Sequence, residues 1–87
     1  MSKITFAEEG WEDYLYWQFQ DKKTLKRINK LLHSIAREGA LSGLGKPEKL
    51  RGRDGEYSRR INEEDRLVYE VSEDQIVVKS CRGHYED

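Results

Sequence analysis

The stretch Ser58-Arg59-Arg60-Ile61-Asn62-Glu63-Glu64-Asp65-Arg66-Leu67-Val68-Tyr69-Glu70-Val71 constrains the fold more than any other part of the chain. Apolar and polar residues alternate on both sides of a charged tip, which is the pattern of a β-hairpin. Setting Ile61 opposite Leu67 and Tyr57 opposite Val71 leaves Glu63, Glu64 and Asp65 as a three-residue turn. Alternate side chains of a strand share a face. This register therefore turns Ile61, Leu67, Tyr69 and Val71 towards a core and projects Arg60, Asn62 and Arg66 from the other side. Two guanidinium groups on one face repel each other unless an anion lies between them or carboxylates such as Glu70 pair with them.

The remaining elements follow in chain order. Lys3–Phe6 reads as a short strand. Thr5 and Glu8 form a T-x-x-E pattern that opens a helix. Trp11, Tyr14, Leu15 and Gln18 recur at helical spacing, so this first helix is expected to bury an aromatic face, which Tyr16 and Trp17 broaden. Asp21 recaps, and a second helix is expected from about Lys22 to Arg37. Leu25, Ile28, Leu32 and Ile35, with Leu31 beside them, form its apolar stripe. Gly39 ends it. Pro47 is expected to push Lys46 into an extended conformation, and Lys46–Arg51 then enters the sheet region. Asp54-Gly55 and Ser72-Glu73-Asp74 are turns. Gln75–Cys81 is apolar on both faces and reads as an interior strand. The order is β-α-α-β-β-β, an α+β fold with two N-terminal helices on one face of an antiparallel sheet, in a single domain over residues 1–87.

Charge is distributed unevenly. The net charge is only −1, yet residues 22–60 hold 12 Lys or Arg against 4 Asp or Glu. That asymmetry points to a polyanionic partner. The second helix carries Lys22, Lys23, Lys26, Arg27, Lys30, His33 and Arg37 away from its apolar stripe, and Lys22, Lys26, Lys30 and Arg37 are expected to dock on structured RNA. No run is long enough to span a membrane. A lone cysteine, Cys81, excludes an internal disulfide and fits a reducing cytoplasm. No metal-ligand spacing, P-loop or dinucleotide-binding turn is present, so neither metal nor cofactor is expected. Cys81 and His84, three apart along a strand, point to opposite faces, and Cys81 reads as core.

Glu48, Arg60, Arg66 and His84 are the residues that could carry chemistry, with Lys46, Lys49, Arg51 and Tyr85 around them. RNA can be cut by its own 2′-hydroxyl, given a base, positive charge on the phosphate and an acid for the leaving oxygen. Glu48 suits the first role, Arg60 and Arg66 the second, and His84 the third.

Five blocks in order make the chain resemble the YoeB-type toxins of the RelE superfamily, from bacterial type II toxin–antitoxin systems. They are Glu12-Asp13-Tyr14-Leu15-Tyr16-Trp17-Gln18, Gly43-Leu44-Gly45-Lys46-Pro47-Glu48, Ser58-Arg59-Arg60-Ile61, Arg66-Leu67-Val68-Tyr69 and His84-Tyr85. The resemblance implies a microbial RNase-like, RelE-type fold and a ribosome-dependent endoribonuclease that cuts mRNA in the ribosomal A site. It also implies neutralisation by a cognate, YefM-like antitoxin, a cytoplasmic location and compatibility with a homodimer. In the family pattern Glu48 is the general base, Arg66 and Arg60 stabilise the phosphate, His84 is the general acid and Tyr85 touches substrate. Arg51 matches the family's cation three residues after the glutamate. The chain departs from the pattern at Tyr57, where a Trp is typical, at Lys49, where Pro is frequent, and in having Glu86 and Asp87 after His84-Tyr85. Relatives on this scaffold resemble ParE, which binds gyrase without cutting RNA, and fold alone does not separate the two activities. A plain RNA-binding domain using the second helix is the third reading.

Overall fold

In the computed structural model, which describes residues 2–83, two helices cover one face of a five-stranded sheet. The elements run β1 (Lys3–Phe6), α1 (Glu8–Gln20), α2 (Lys22–Glu38), β2 (Glu48–Lys49), β3 (Glu56–Arg60), β4 (Arg66–Val71) and β5 (Gln75–Ser80). Their order in the sheet is β1-β5-β4-β3-β2. Neighbours from β2 to β5 are antiparallel. The first strand instead joins parallel to β5, with Lys3 beside Gln75 and Phe6 beside Val78, so the sheet is mixed. Two helices and three strands separate β1 from β5, which is ample chain for a parallel crossover. The two-residue β2 adds a strand where the sequence indicated only entry to the sheet region.

The strong amphipathicity of α2 fixes the layer. Ile28, Leu31, Leu32 and Ile35 are buried, and they meet Ile61, Leu67, Tyr69, Ile76 and Val78 from the sheet. Asp21 caps the helix by accepting from the backbone N–H groups of Lys23 and Thr24 at 3.1 and 3.2 Å. Those bonds hold its carboxyl below the usual carboxylate range, the Thr24 hydroxyl bond being the largest cause.

The start of α1 differs from the sequence reading, and its buried face is centred on Trp17, with Tyr14 and Tyr16 against the core, instead of on Trp11 and Gln18. Its N-cap is Ala7, without a side-chain cap. Thr5 remains in β1 and donates to Gln75 Oε1 at 2.9 Å, because the parallel pairing carries the strand through Phe6. The helix buries Gly10 and Trp17, whereas Trp11 is 47% exposed and Gln18 is exposed. A Cβ at Gly10 would overlap the Val78 carbonyl oxygen. That close approach, rather than the aromatic spacing alone, sets which side of α1 faces β5.

In the central hairpin the side chains face as expected, but the register is displaced by two residues. Arg60 pairs with Arg66, Arg59 with Leu67 and Tyr57 with Tyr69. A shift of two preserves the faces, since the side-chain period is two. The tip is therefore longer than the three-residue turn. The Ile61 N–H donates to the Asp65 carbonyl at 3.0 Å, and Asn62 Oδ1 accepts from the Glu64 and Asp65 N–H groups at 2.8 Å each. The Asn62 side chain supplies bonds that a longer ladder would have made.

Candidate active site

One end of the sheet's uncovered face gathers four separate segments through backbone bonds. The Arg60 N–H donates to the Gly45 carbonyl at 2.7 Å. Arg60 lies opposite Arg66 in the hairpin. The Arg66 N–H donates to the Gly83 carbonyl at 3.0 Å, and the Gly83 N–H donates to Asp65 Oδ1 at 2.7 Å. The glycine-lysine segment before β2, both hairpin strands and the end of the described chain are thus tied in one row.

Glu48 enters this row through β2. It pairs with Ser58, which precedes Arg60 by two residues and so shares its face. Glu48 is exposed, and its carboxylate makes no hydrogen bond or ion pair among the described residues. Arg60 is also exposed, and its guanidinium has no partner among the described residues. Arg66 differs. Its Nη1 is occupied by the carbonyls of Asn62, Glu63 and Asp65 at 2.8, 3.3 and 3.2 Å. Those bonds fix the guanidinium over the hairpin tip and leave Nε and Nη2 without a partner among the described residues. Two arginines directly across a strand pair are a repulsive arrangement. The alternative the sequence left open, pairing with Glu70 and neighbouring carboxylates, is not seen among the described residues, where Glu70 pairs with Lys79 instead.

Lys46 departs from expectation. It adopts φ = 51°, not the extended backbone expected before Pro47. Gly45, at φ = 91°, starts this turn, and the Arg60 bond to its carbonyl holds the segment against β3. A non-glycine residue at positive φ stores backbone strain of order 1 kcal/mol or more. The strain redirects the chain so that Glu48 and Lys49 enter β2 directly after Pro47.

The other sequence candidates do not all converge. Lys49 pairs with Tyr57, so its side chain leaves β2 on the face opposite Glu48. Arg51 sits exposed in the turn after β2. His84 and Tyr85 lie outside the described residues. A concavity of about 240 Å³ extends the uncovered face beside Gly83, lined by Val68, Ser80, Lys79, Arg82 and Arg53 among others. Its cations are engaged: Lys79 pairs with Glu70 at 3.3 Å, Arg53 with Glu56 at 3.1 Å, and Arg82 lies 3.6 Å above the Tyr16 ring.

The chain reaches Gly83 under tight control from α1. Trp17 Nε1 donates to the Cys81 carbonyl at 2.8 Å, and Asp13 Oδ2 accepts from the Cys81 N–H at 3.0 Å. Cys81 itself is fully buried, and burial pushes its thiol up to about 12. A thiol held that far from ionisation is no nucleophile, which confirms its reading as core.

Sequence reasoning passed over Arg59. It faces the helices, is fully buried, and spreads its guanidinium over the 39–44 loop. The signal was an arginine at an inward position between Tyr57 and Ile61.

Residues 6–85 match the family model described as the YoeB-like toxin of bacterial type II toxin–antitoxin systems. The curated toxin YoeB of Streptomyces coelicolor is 49% identical over 84 residues, spanning 95% of this chain and 99% of its own. The YoeB dimer from Staphylococcus aureus superposes with a TM-score of 0.93 at 55% identity, covering 97% of this chain and 98% of that one. A heterotetrameric YoeB–YefM toxin–antitoxin complex from Staphylococcus aureus matches with a TM-score of 0.90 at 55% identity, over 98% and 99%.

Proposed function

The chain belongs to the YoeB-like toxin family of bacterial type II toxin–antitoxin systems, and from that premise we propose that it is a ribosome-dependent endoribonuclease acting on mRNA in the A site. Glu48 takes the proton from the 2′-hydroxyl. The 2′-oxygen attacks phosphorus, and Arg60 and Arg66 stabilise the charge that gathers on the phosphate oxygens. The 5′-oxygen leaves with a proton from His84, yielding a 2′,3′-cyclic phosphate and a 5′-hydroxyl. Lys46, Lys49, Arg51 and Tyr85 contact RNA or ribosome around the scissile bond. A YefM-like antitoxin silences the toxin, as the Staphylococcus aureus complex suggests, and the toxin alone pairs with itself, in line with the dimer from that organism. The reaction takes place in the cytoplasm, where ribosomes are. No helix among the described residues is long and apolar enough to cross a membrane.

The observation that carries this reading is the facing pair Arg60 and Arg66, with guanidinium donors that have no partner among the described residues, and on the same face the Glu48 carboxylate, likewise without one among them. A gyrase-binding toxin has no need of a carboxylate beside two such cations. The test is primer extension on mRNA bound to ribosomes, with and without the protein, alongside a gyrase supercoiling assay. Cleavage that needs ribosomes and persists in EDTA, with ribosomes kept intact by monovalent salt and polyamine, is expected. A 3′-hydroxyl product, or gyrase inhibition without cleavage, would overturn it.

A further inference from the structure

Arg59 is a buried cation whose partners are all neutral oxygens. Its Nε donates to Tyr69 Oη at 2.8 Å, and its Nη1 donates to Ser34 Oγ at 3.0 Å and the Leu44 carbonyl at 2.8 Å. Its Nη2 donates to the carbonyls of Gly39, Ser42 and Ala40 at 2.8, 2.7 and 3.5 Å. Burying a charge without a counter-ion is costly unless every donor is satisfied. Here a single fork reaches across residues 39–44 of the loop between α2 and β2. Two neighbours complete the frame. Tyr69 Oη passes the bond on to the Ala40 carbonyl at 2.7 Å, and Ser34 Oγ accepts from the Leu44 N–H at 2.9 Å.

The loop so held ends at Gly45, where a Cβ would stand 2.7 Å from Leu31 Cδ2 and 3.2 Å from Arg59 Cβ. The chain at that point is therefore wedged between α2 and β3. One residue later comes Lys46 with its positive φ, and then Glu48. Arg60, next to Arg59 in sequence, faces the opposite side and holds the Gly45 carbonyl through its N–H.

We infer that Arg59 is a positioning residue, which clamps the 39–44 loop from inside the core and thereby sets Glu48 against Arg60 and Arg66 on the outer face. The inference rests on the proposed cleavage reaction. Arg59 touches no RNA; it decides where the base stands. A lysine offers three donors from one point and cannot span these acceptors, so Arg59→Lys keeps the charge but loosens the loop.

The experiment measures Arg59→Lys and wild type by cooperative unfolding, by amide hydrogen exchange over residues 40–49, and by cleavage kinetics on ribosome-bound mRNA. Faster exchange of the loop amides is expected, by about tenfold or more at partly opened sites. The value of kcat should fall about 10²-fold, as for an ångström-scale misplacement of a reacting group, with KM within about threefold of wild type. Unaltered loop exchange overturns the clamp. Faster exchange with kcat retained overturns the coupling to Glu48, as does a rise in KM with kcat unchanged. Should Arg59→Lys fail to fold, Tyr69→Phe removes the hydroxyl that links Nε to Ala40. It must show the same pattern at smaller amplitude, and wild-type kinetics with wild-type exchange in that variant overturn the inference. If wild type cleaves nothing, the proposed reaction fails and the exchange measurement alone decides the clamp.

Discussion

The two faces of the β3–β4 hairpin carry neighbouring arginines that are used in opposite ways. On the helix-covered face Arg59 is fully buried and every donor group finds an oxygen. On the uncovered face Arg60 is exposed, its guanidinium has no partner among the described residues, and it lies directly across from a second arginine. The first arrangement minimises the cost of a buried charge. The second retains a repulsion that a fold selected for stability alone would have removed. The difference teaches that a like-charge pair left open is better evidence of a site than a strongly bonded polar residue is.

The largest expected effect comes from breaking the inner side. Arg59→Met keeps roughly the volume but takes the donors away from the buried Ser34 and Tyr69 hydroxyl oxygens and from the part-buried carbonyls of Gly39, Ser42 and Leu44. Each such orphan costs about 1–3 kcal/mol, so urea unfolding should show a loss above about 3 kcal/mol. A loss below about 1 kcal/mol would mean that water or a loop shift replaces the guanidinium readily.

The outer side should respond in activity and not in stability. Glu48→Gln and Arg66→Ala should each slow cleavage by about 10²-fold or more, the usual scale for acid–base and electrostatic roles. Glu48→Gln should leave the melting temperature within a degree or two, because surface changes away from bonded features stay within about 0.5 kcal/mol. Arg66→Ala should lower it somewhat more, since its Nη1 bonds brace the hairpin tip. Full activity in either variant would remove that residue from the reaction.

A sharper test is Arg60→Ala. Relief of a like-charge cross-strand pair is worth roughly 0.2–1 kcal/mol, so this variant should melt at the wild-type temperature or slightly above it. Its cleavage should still fall, by about tenfold. A lower melting temperature would show that Arg60 does structural work after all, and would erase the contrast between the faces.

The sequence revealed most of the fold because its patterns were local. The stripe of α2, the Asp21 cap and the alternation of the hairpin each needed only a few residues, and each was legible. The parallel pairing of β1 with β5 was not, since nothing near Lys3–Phe6 names a partner seventy residues away. The register slip of two escaped because alternation is blind to even shifts, and only Asn62 decides the length of the tip. Of the proposed site, Glu48, Arg60 and Arg66 were candidates by residue chemistry, and the family resemblance gave each of them a role. The positive φ of Lys46 runs against the local rule for a residue before proline, and was set by the Gly45 turn and the Arg60 bond. Arg59 was hidden because a buried arginine looks like a surface one until its acceptors are known.

The smallest effect concerns the one acid that the covered side holds at a cost. Asp13 accepts from the Cys81 N–H, yet its carboxyl is raised above the ordinary value, with burial the largest cause and the Cys81 bond opposing it. Glu9 and Glu12 raise it further and Arg82 lowers it. A folded-state value above the unfolded one means that the protonated acid favours the fold. That contribution is complete below the unfolded value and is lost as pH rises through the folded one. At neutral pH the ionised Asp13 therefore weakens the inner side slightly. Asn is a neutral mimic with an oxygen still able to accept from Cys81, so Asp13→Asn should match or slightly exceed wild-type stability at pH 7. At a pH below the ordinary carboxylate range that advantage should vanish. Urea unfolding of both proteins at the two pH values isolates the difference, because carboxylates other than the coupled Glu9 and Glu12 titrate alike. A variant weaker than wild type at pH 7 and equal to it in acid would show that the charged bond to Cys81 outweighs burial, and that the covered face has no exception to its rule.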